Sequence, residues 1–186
     1  MAEGTRDGRS GAVWVWLAPS LLLLCGMAAW GALRYPYLPG RVPSHVGPGG
    51  VDAWTDKTLW AAFVPVLVYA GLTAALAGSA ALSARITPLD EMSRPEGRRS
   101  AVANSLTNRP ASAASARRTA RALLMMNALY GVALVPLCWV QWRTAETAAI
   151  PGWVLPTSLA LFVLGLVPLG DAWRRDAAEK KAGKTA

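Results

Sequence analysis

The single histidine of the chain stands in the one stretch where side chains able to do chemistry gather. Between Tyr35 and Lys57 lie His45, Asp52 and Asp56, an imidazole and two carboxylates of the kind that hold zinc or another divalent ion. The same stretch carries four prolines and four glycines. Those glycines leave the geometry of a metal site open, and the carboxylates have a plainer use. Asp52 and Asp56 precede an apolar run that begins at Thr58, where an aspartate can cap the first turn of a helix. Loop structure and capping are therefore the expectation, with no metal and no cofactor. Ser44 adjoins His45, but neighbours in sequence do not normally present their side chains to each other, so a Ser-His-Asp arrangement is not expected. There is no GxSxG elbow, no HExxH and no phosphate-cradling glycine loop. The chain reads as non-enzymatic, with a metal-dependent membrane enzyme as the remote alternative.

What positions this stretch is apolar. Of 186 residues 53% are hydrophobic, with a mean hydropathy of +0.29, too high for an ordinary soluble domain. Four stretches hold no charge: Ser10 to Leu33, Thr58 to Ala84, Ala122 to Trp142 and Thr147 to Gly170. As helices they would be about 32–40 Å long, enough for a hydrocarbon core of about 30 Å. The expected fold class is an all-α integral membrane protein, a single domain over 1–186 with spans near 11–33, 58–84, 120–142 and 150–173. A Pro/Gly-rich loop, 34–57, joins the first two spans, a basic connection, 85–119, joins the middle two, and a tail follows from 174 to 186.

Placement of the positive charge orients these spans. Arg6 and Arg9 precede the first span; Arg85, Arg94, Arg98, Arg99, Arg109, Arg117, Arg118 and Arg121 lie in or beside the basic connection; Arg174, Arg175, Lys180, Lys181 and Lys184 lie in the tail. With alternating spans these share one side, and only Arg34, Arg41, Lys57 and Arg143 lie on the other. The positive-inside rule then makes both termini cytoplasmic and the loop 34–57 extracytoplasmic. The net charge of +8 is a topology signal and a contact with anionic lipid; the basic clusters lack interleaved aromatics, so no nucleic-acid partner is expected. Arginine in excess of lysine, with abundant alanine and glycine, points to a GC-rich bacterial gene and hence a bacterial cell membrane.

Along the chain, Pro19 marks the start of span one or a kink within it, and the first span is read as an uncleaved anchor. Cys25 and Cys138 both fall inside spans, as apolar residues rather than disulfide partners. In span two Ala70, Ala74 and Gly78 share one helical face, where small side chains let a neighbouring helix approach. In the basic connection Ser93 and Glu96 have capping-box spacing, consistent with a short interfacial helix to Asn108, or with a linker. Asn127 is the most polar deep residue, suited to hydrogen bonding between helices. No ionisable group lies mid-span, which argues against an ion-coupled transporter. Spans three and four should form an antiparallel pair.

Leu38-Pro39, Val42-Pro43-Ser44-His45, Gly47, Gly50, Asp52-Ala53-Trp54 and Lys57 resemble, in order and spacing, the LPxxIPxHF…G…D…K pattern that follows the first span in the SdpI-like family of bacterial membrane proteins. Val46 stands where that pattern has an aromatic residue, and full-length immunity proteins of the family carry further spans. The resemblance covers about residues 12–85. It implies an accessory or immunity-like role against a secreted peptide toxin, with a peptide or protein partner at the loop. Tyr37, Pro39, Arg41, Pro43, His45, Asp52, Trp54 and Lys57 are the candidate binding residues. The alternative is a signalling module that holds a cytoplasmic regulator through the basic connection. Orientation is directly testable: a reporter that works only outside the cytoplasm should be active when fused at Gly49, and activity of a cytoplasm-only reporter there would reverse the topology.

Overall fold

The computed structural model describes residues 13–91 and 109–185, and within them the chain is mostly helical. A 3-10 turn, Val15–Leu17, leads into α1, Ala18–Arg34, with Pro19 in its first turn, where a missing N–H costs nothing. A second 3-10 turn, Tyr35–Tyr37, ends that segment. There follow α2, Leu59–Arg85, α3, Ala113–Gln141, and α4, Val154–Thr185. All four helical segments are long and apolar enough to cross a membrane, which makes this a multi-pass membrane protein in design. The exposed Trp153, just before α4, and Trp173 on it stand twenty residues apart, about 30 Å of helix, matching the separation of the two interfacial zones where tryptophan concentrates.

The segment between α1 and α2 departs from the all-α expectation. It is an antiparallel β-hairpin of β1, Arg41–Gly47, and β2, Gly50–Asp56, turning at Pro48-Gly49. Two further boundaries shift. α3 begins at Ala113, so Arg117 and Arg118 lie on a helix rather than in the connection. The charged residues expected as a tail from 174 continue α4 to Thr185. The Ser93–Glu96 capping box, the helix expected as far as Asn108 and the N-terminal tail lie outside the described residues.

Helix α3 is the centre of the bundle, with α1, α2 and α4 packed around it. Its contact with α2 is set by a proline. Pro65 has no N–H, so the Ala61 carbonyl one turn earlier loses its helical partner. Gln141 Nε2 donates to that carbonyl at 2.8 Å, and Trp142 Nε1 donates to the next one, Ala62, at 2.8 Å. Trp142 is buried, edge-on to Trp30 with ring centroids 5.2 Å apart, while Arg34 Nε donates to its carbonyl at 3.3 Å. Deeper in the bundle, Asn127 exchanges hydrogen bonds with Thr73, and the Tyr69 hydroxyl donates to the Asn127 carbonyl at 3.2 Å.

These polar pairs choose which face of α2 turns inward. The buried residues are Ala62, Val66, Tyr69, Thr73 and Ala80. Of the expected small-residue seam, Ala70 is half-buried, while Ala74 and Gly78 face outward. Alanine spacing alone does not outweigh a buried tyrosine and a threonine that have partners on α3.

At the end opposite the hairpin, the start of α3 is tied to the charged extension of α4. Asp176 accepts from the Ala111 N–H at 2.7 Å and from the Ser115 hydroxyl at 2.5 Å, and pairs with Lys180. Glu179 accepts from Ser112 and pairs with Arg118. Burial raises the pKa of the Asp176 carboxyl, but those donors outweigh it and hold it below its ordinary value. Two acidic groups at the N-terminal end of α3 also suit its dipole.

The Pro65 account predicts non-additivity. Gln141→Leu should cost about 1–3 kcal/mol of unfolding free energy by orphaning the Ala61 carbonyl. In a Pro65→Ala background, where the helix supplies an N–H of its own, the same change should cost clearly less. Denaturant unfolding in detergent of the four proteins checks this, and equal costs would refute it.

Candidate functional site

The hairpin is short and two-stranded, a unit with little stability of its own, so its position depends on what holds it. Its ends are clamped where it leaves the helices. The Lys57 N–H donates to the Gly40 carbonyl at 2.8 Å, and Lys57 Nζ donates to the Leu38 carbonyl at 3.0 Å while lying 4.9 Å from the centre of the Tyr35 ring. Its apolar side lies on the bundle: Val51 is buried with Val140 and Val154, and Val46, Trp54 and Ile150 pack around them. Val42 and Leu38 join the core formed by Met27, Tyr69 and Trp142.

The connection between α3 and α4 holds the third side. Arg143 folds it by donating to the Thr147 carbonyl at 2.7 Å and the Ala149 carbonyl at 2.6 Å. The Ala148 carbonyl so placed accepts from the Val51 N–H at 2.8 Å, and Glu146 accepts from the Arg41 N–H at 3.2 Å. Gly50, at φ +118°, lies against that same carbonyl; an L side chain there would be strained and would also collide with it.

On the side away from the bundle, His45 and Asp52 meet. Strand pairing is irregular on both sides of His45, next to Pro43, which has no N–H to give to the ladder. His45 Nδ1 lies 2.5 Å from Asp52 Oδ1, and the two side chains are 67% and 58% exposed. Gly47 makes room for them, since a Cβ there would come within 2.7 Å of Asp52 Oδ2. An ionised carboxylate only accepts, so the proton of that bond belongs to Nδ1, and Nε2 is left at the surface, an acceptor in the neutral ring and a donor in the protonated one. An imidazole with one face held by a carboxylate and the other open can accept a hydrogen bond, take a proton or ligate a metal.

The sequence-derived residues divide into two groups. Tyr37, Arg41, His45 and Asp52 are exposed at the hairpin end. Pro39 and Lys57 are half-buried, Pro43 is buried and Trp54 packs on the bundle, so these four hold the hairpin rather than present a surface. Asp56 is paired with Arg41 at the far end of the ladder from the His45–Asp52 contact, so the three groups of the imagined metal set do not converge. Among the described residues no cluster of three histidine, cysteine or acidic side chains is close enough to hold a metal ion. The cap of α2 is Thr58, whose hydroxyl accepts from the Ala61 N–H at 3.1 Å, and not Asp56. Ala148, Glu146 and Arg143, which fix the hairpin from the α3–α4 connection, carry no motif that sequence reasoning could have used.

Residues 21–68 match the family model for a domain of unknown function (DUF1648), a segment that runs from α1 through the hairpin into the first part of α2. No curated protein and no solved structure matches the chain. The geometry makes its own prediction about attachment. Gly50→Ala should free the hairpin from the Ala148 carbonyl and cost about 1–3 kcal/mol of strain. Limited proteolysis in detergent should then cut within the hairpin several-fold faster than in the parent chain, and an unchanged rate would show that the carbonyl contact does not hold it.

Proposed function

We propose that this chain is a non-enzymatic bacterial membrane protein of the SdpI-like kind, accessory or immunity-like. Its hairpin lies outside the cytoplasm and recognises a peptide. The observation that carries the reading is the exposed His45–Asp52 pair on a hairpin held at the ends of all four helices. A polar contact surface kept rigid before binding loses little entropy when a partner arrives. Tyr37 and Arg41 extend the surface with an aromatic ring and a guanidinium, two side-chain types enriched where proteins bind each other. The excess of basic residues at the other end supports cytoplasmic termini. The match over residues 21–68 agrees in position with the loop pattern on which the SdpI-like resemblance rests.

Cells producing the chain should tolerate a higher concentration of secreted antimicrobial peptide from a producing competitor than cells without it. His45→Ala and Asp52→Ala, compared at equal membrane levels, should each lower that tolerance about ten-fold, the loss expected for one charge-assisted contact. Tolerance that is absent in the parent, or unchanged in both variants, would remove the proposal.

A further inference from the structure

At the end of the bundle away from the hairpin, the carboxylates of α4 are already matched. Asp171 pairs with Arg175, Asp176 with Lys180 and Glu179 with Arg118. Arg117 and Arg121 of α3 make no ion pair and no side-chain hydrogen bond among the described residues. Both are exposed, and four residues apart they share one face of the helix.

Arg121 is a cation with a fixed place. Its guanidinium lies 4.1 Å from the centre of the Trp16 ring. That indole, in the 3-10 turn ahead of α1, is itself packed against Ala80, Ala120 and Leu124. The ring attracts the charge and narrows its choice of rotamers, while the N–H donors of the guanidinium have no acceptor among the described residues. Depth is defined as well. Trp139, stacked near Trp153, marks the interfacial zone on the hairpin side. Arg121 stands eighteen residues before it on α3, about 27 Å of helix, which reaches the far edge of a hydrocarbon core of about 30 Å. Arg117 lies about 6 Å further toward water.

Two guanidiniums at headgroup depth, one of them held in place by an indole, suit a phosphodiester, which an arginine fork can grip with two parallel hydrogen bonds. In a zwitterionic lipid the ammonium beyond the phosphate would meet Arg117, a like charge; in phosphatidylglycerol a neutral glycerol stands there. We infer that Arg117, Arg121 and Trp16 form a specific site for the headgroup of an anionic phospholipid in the leaflet away from the hairpin. Both arginines hold the phosphodiester, and Trp16 positions Arg121. Such a site is narrower than the general attraction of basic ends for anionic lipid, and it does not depend on the role of the hairpin.

Native mass spectrometry of the full chain in mild detergent tests the site with two probes of the same acyl chains, palmitoyl-oleoyl phosphatidylglycerol and palmitoyl-oleoyl phosphatidylcholine. The parent chain should retain the anionic lipid at least about five-fold better. Arg117→Gln and Arg121→Gln should each lower retention of phosphatidylglycerol about five-fold, the share expected of one arginine at an anionic surface. Trp16→Leu, which leaves the charge unchanged, should lower it about two-fold as Arg121 loses its platform. Arg174→Gln removes the same charge from the exposed face of α4 and should leave retention unchanged. Equal retention of the two lipids by the parent, no loss in Arg121→Gln, or an equal loss in Arg174→Gln would overturn the inference. Inorganic phosphate at the concentration of the lipid should displace none of it; displacement would assign the site to free phosphate and overturn the inference too. Thermal unfolding of each variant in the same detergent verifies that retention is compared between folded proteins.

Discussion

A carbonyl without a helical partner, Ala61 O, is the constraint around which this bundle is arranged. Pro65 creates it within a helix suited to hydrocarbon, where an unmet backbone acceptor has no water to turn to. Gln141 answers it from the last residue of α3, and the neighbouring Trp142 takes the Ala62 carbonyl. Two side chains in sequence thus fix both the register and the rotation of α2 against α3. Once the indole of Trp142 is placed, Trp30 and Phe63 pack on it, and Arg34 closes on its carbonyl, so α1 is placed too. Thr73, Tyr69 and Asn127 then complete the same face further in.

The hairpin inherits its position from this arrangement. Its apolar residues lie on Val140 and Val154, which flank the α3–α4 connection, and its backbone bonds to Ala148 within that connection. With Val46, Val51 and Trp54 committed downward, His45 and Asp52 are left on the opposite side. The outward pair is as much a product of what the other face must bury as of its own chemistry. The same accounting explains why half of the candidate residues are structural: Pro39, Pro43, Trp54 and Lys57 serve the hold on the bundle.

The four apolar helices were legible because hydrocarbon length and the absence of charge are properties of single segments. Asn127 was legible for a similar reason, since a buried amide needs a partner wherever it lies. The hairpin was harder to see. Its prolines and glycines read as loop, although Val46-Gly47 and Gly50-Val51 around Pro48-Gly49 have the spacing of a two-residue turn. Ala74 and Gly78 of the small-residue stripe face outward because rotation of a helix is decided by the strongest polar pairs, and Thr73 with Tyr69 lies on a different face. The extension of α4 was read as a tail because its partners, Ser112, Ser115 and Arg118, stand far away in sequence. Their three-residue spacing complements that of Asp176 and Glu179 only once α3 and α4 are known to run antiparallel. The joining of His45 to Asp52 depended on strand pairing, which segment-by-segment reading does not supply.

The floor beneath the hairpin has a consequence for how the protein is made. Synthesis produces the hairpin early, with α1 and α2, but Val140, Ala148 and Val154 come only with the second helical pair. Until that pair has been inserted, Val42 can settle only on Met27, Ala62 and Tyr69, and there is no carbonyl to receive Val51. The stretch matched over residues 21–68 therefore completes its contacts in this chain only with residues of the second helical pair. Its docking is a late event in biogenesis, and a seated hairpin is a mark, visible from one side of the membrane, that all four helices have been assembled.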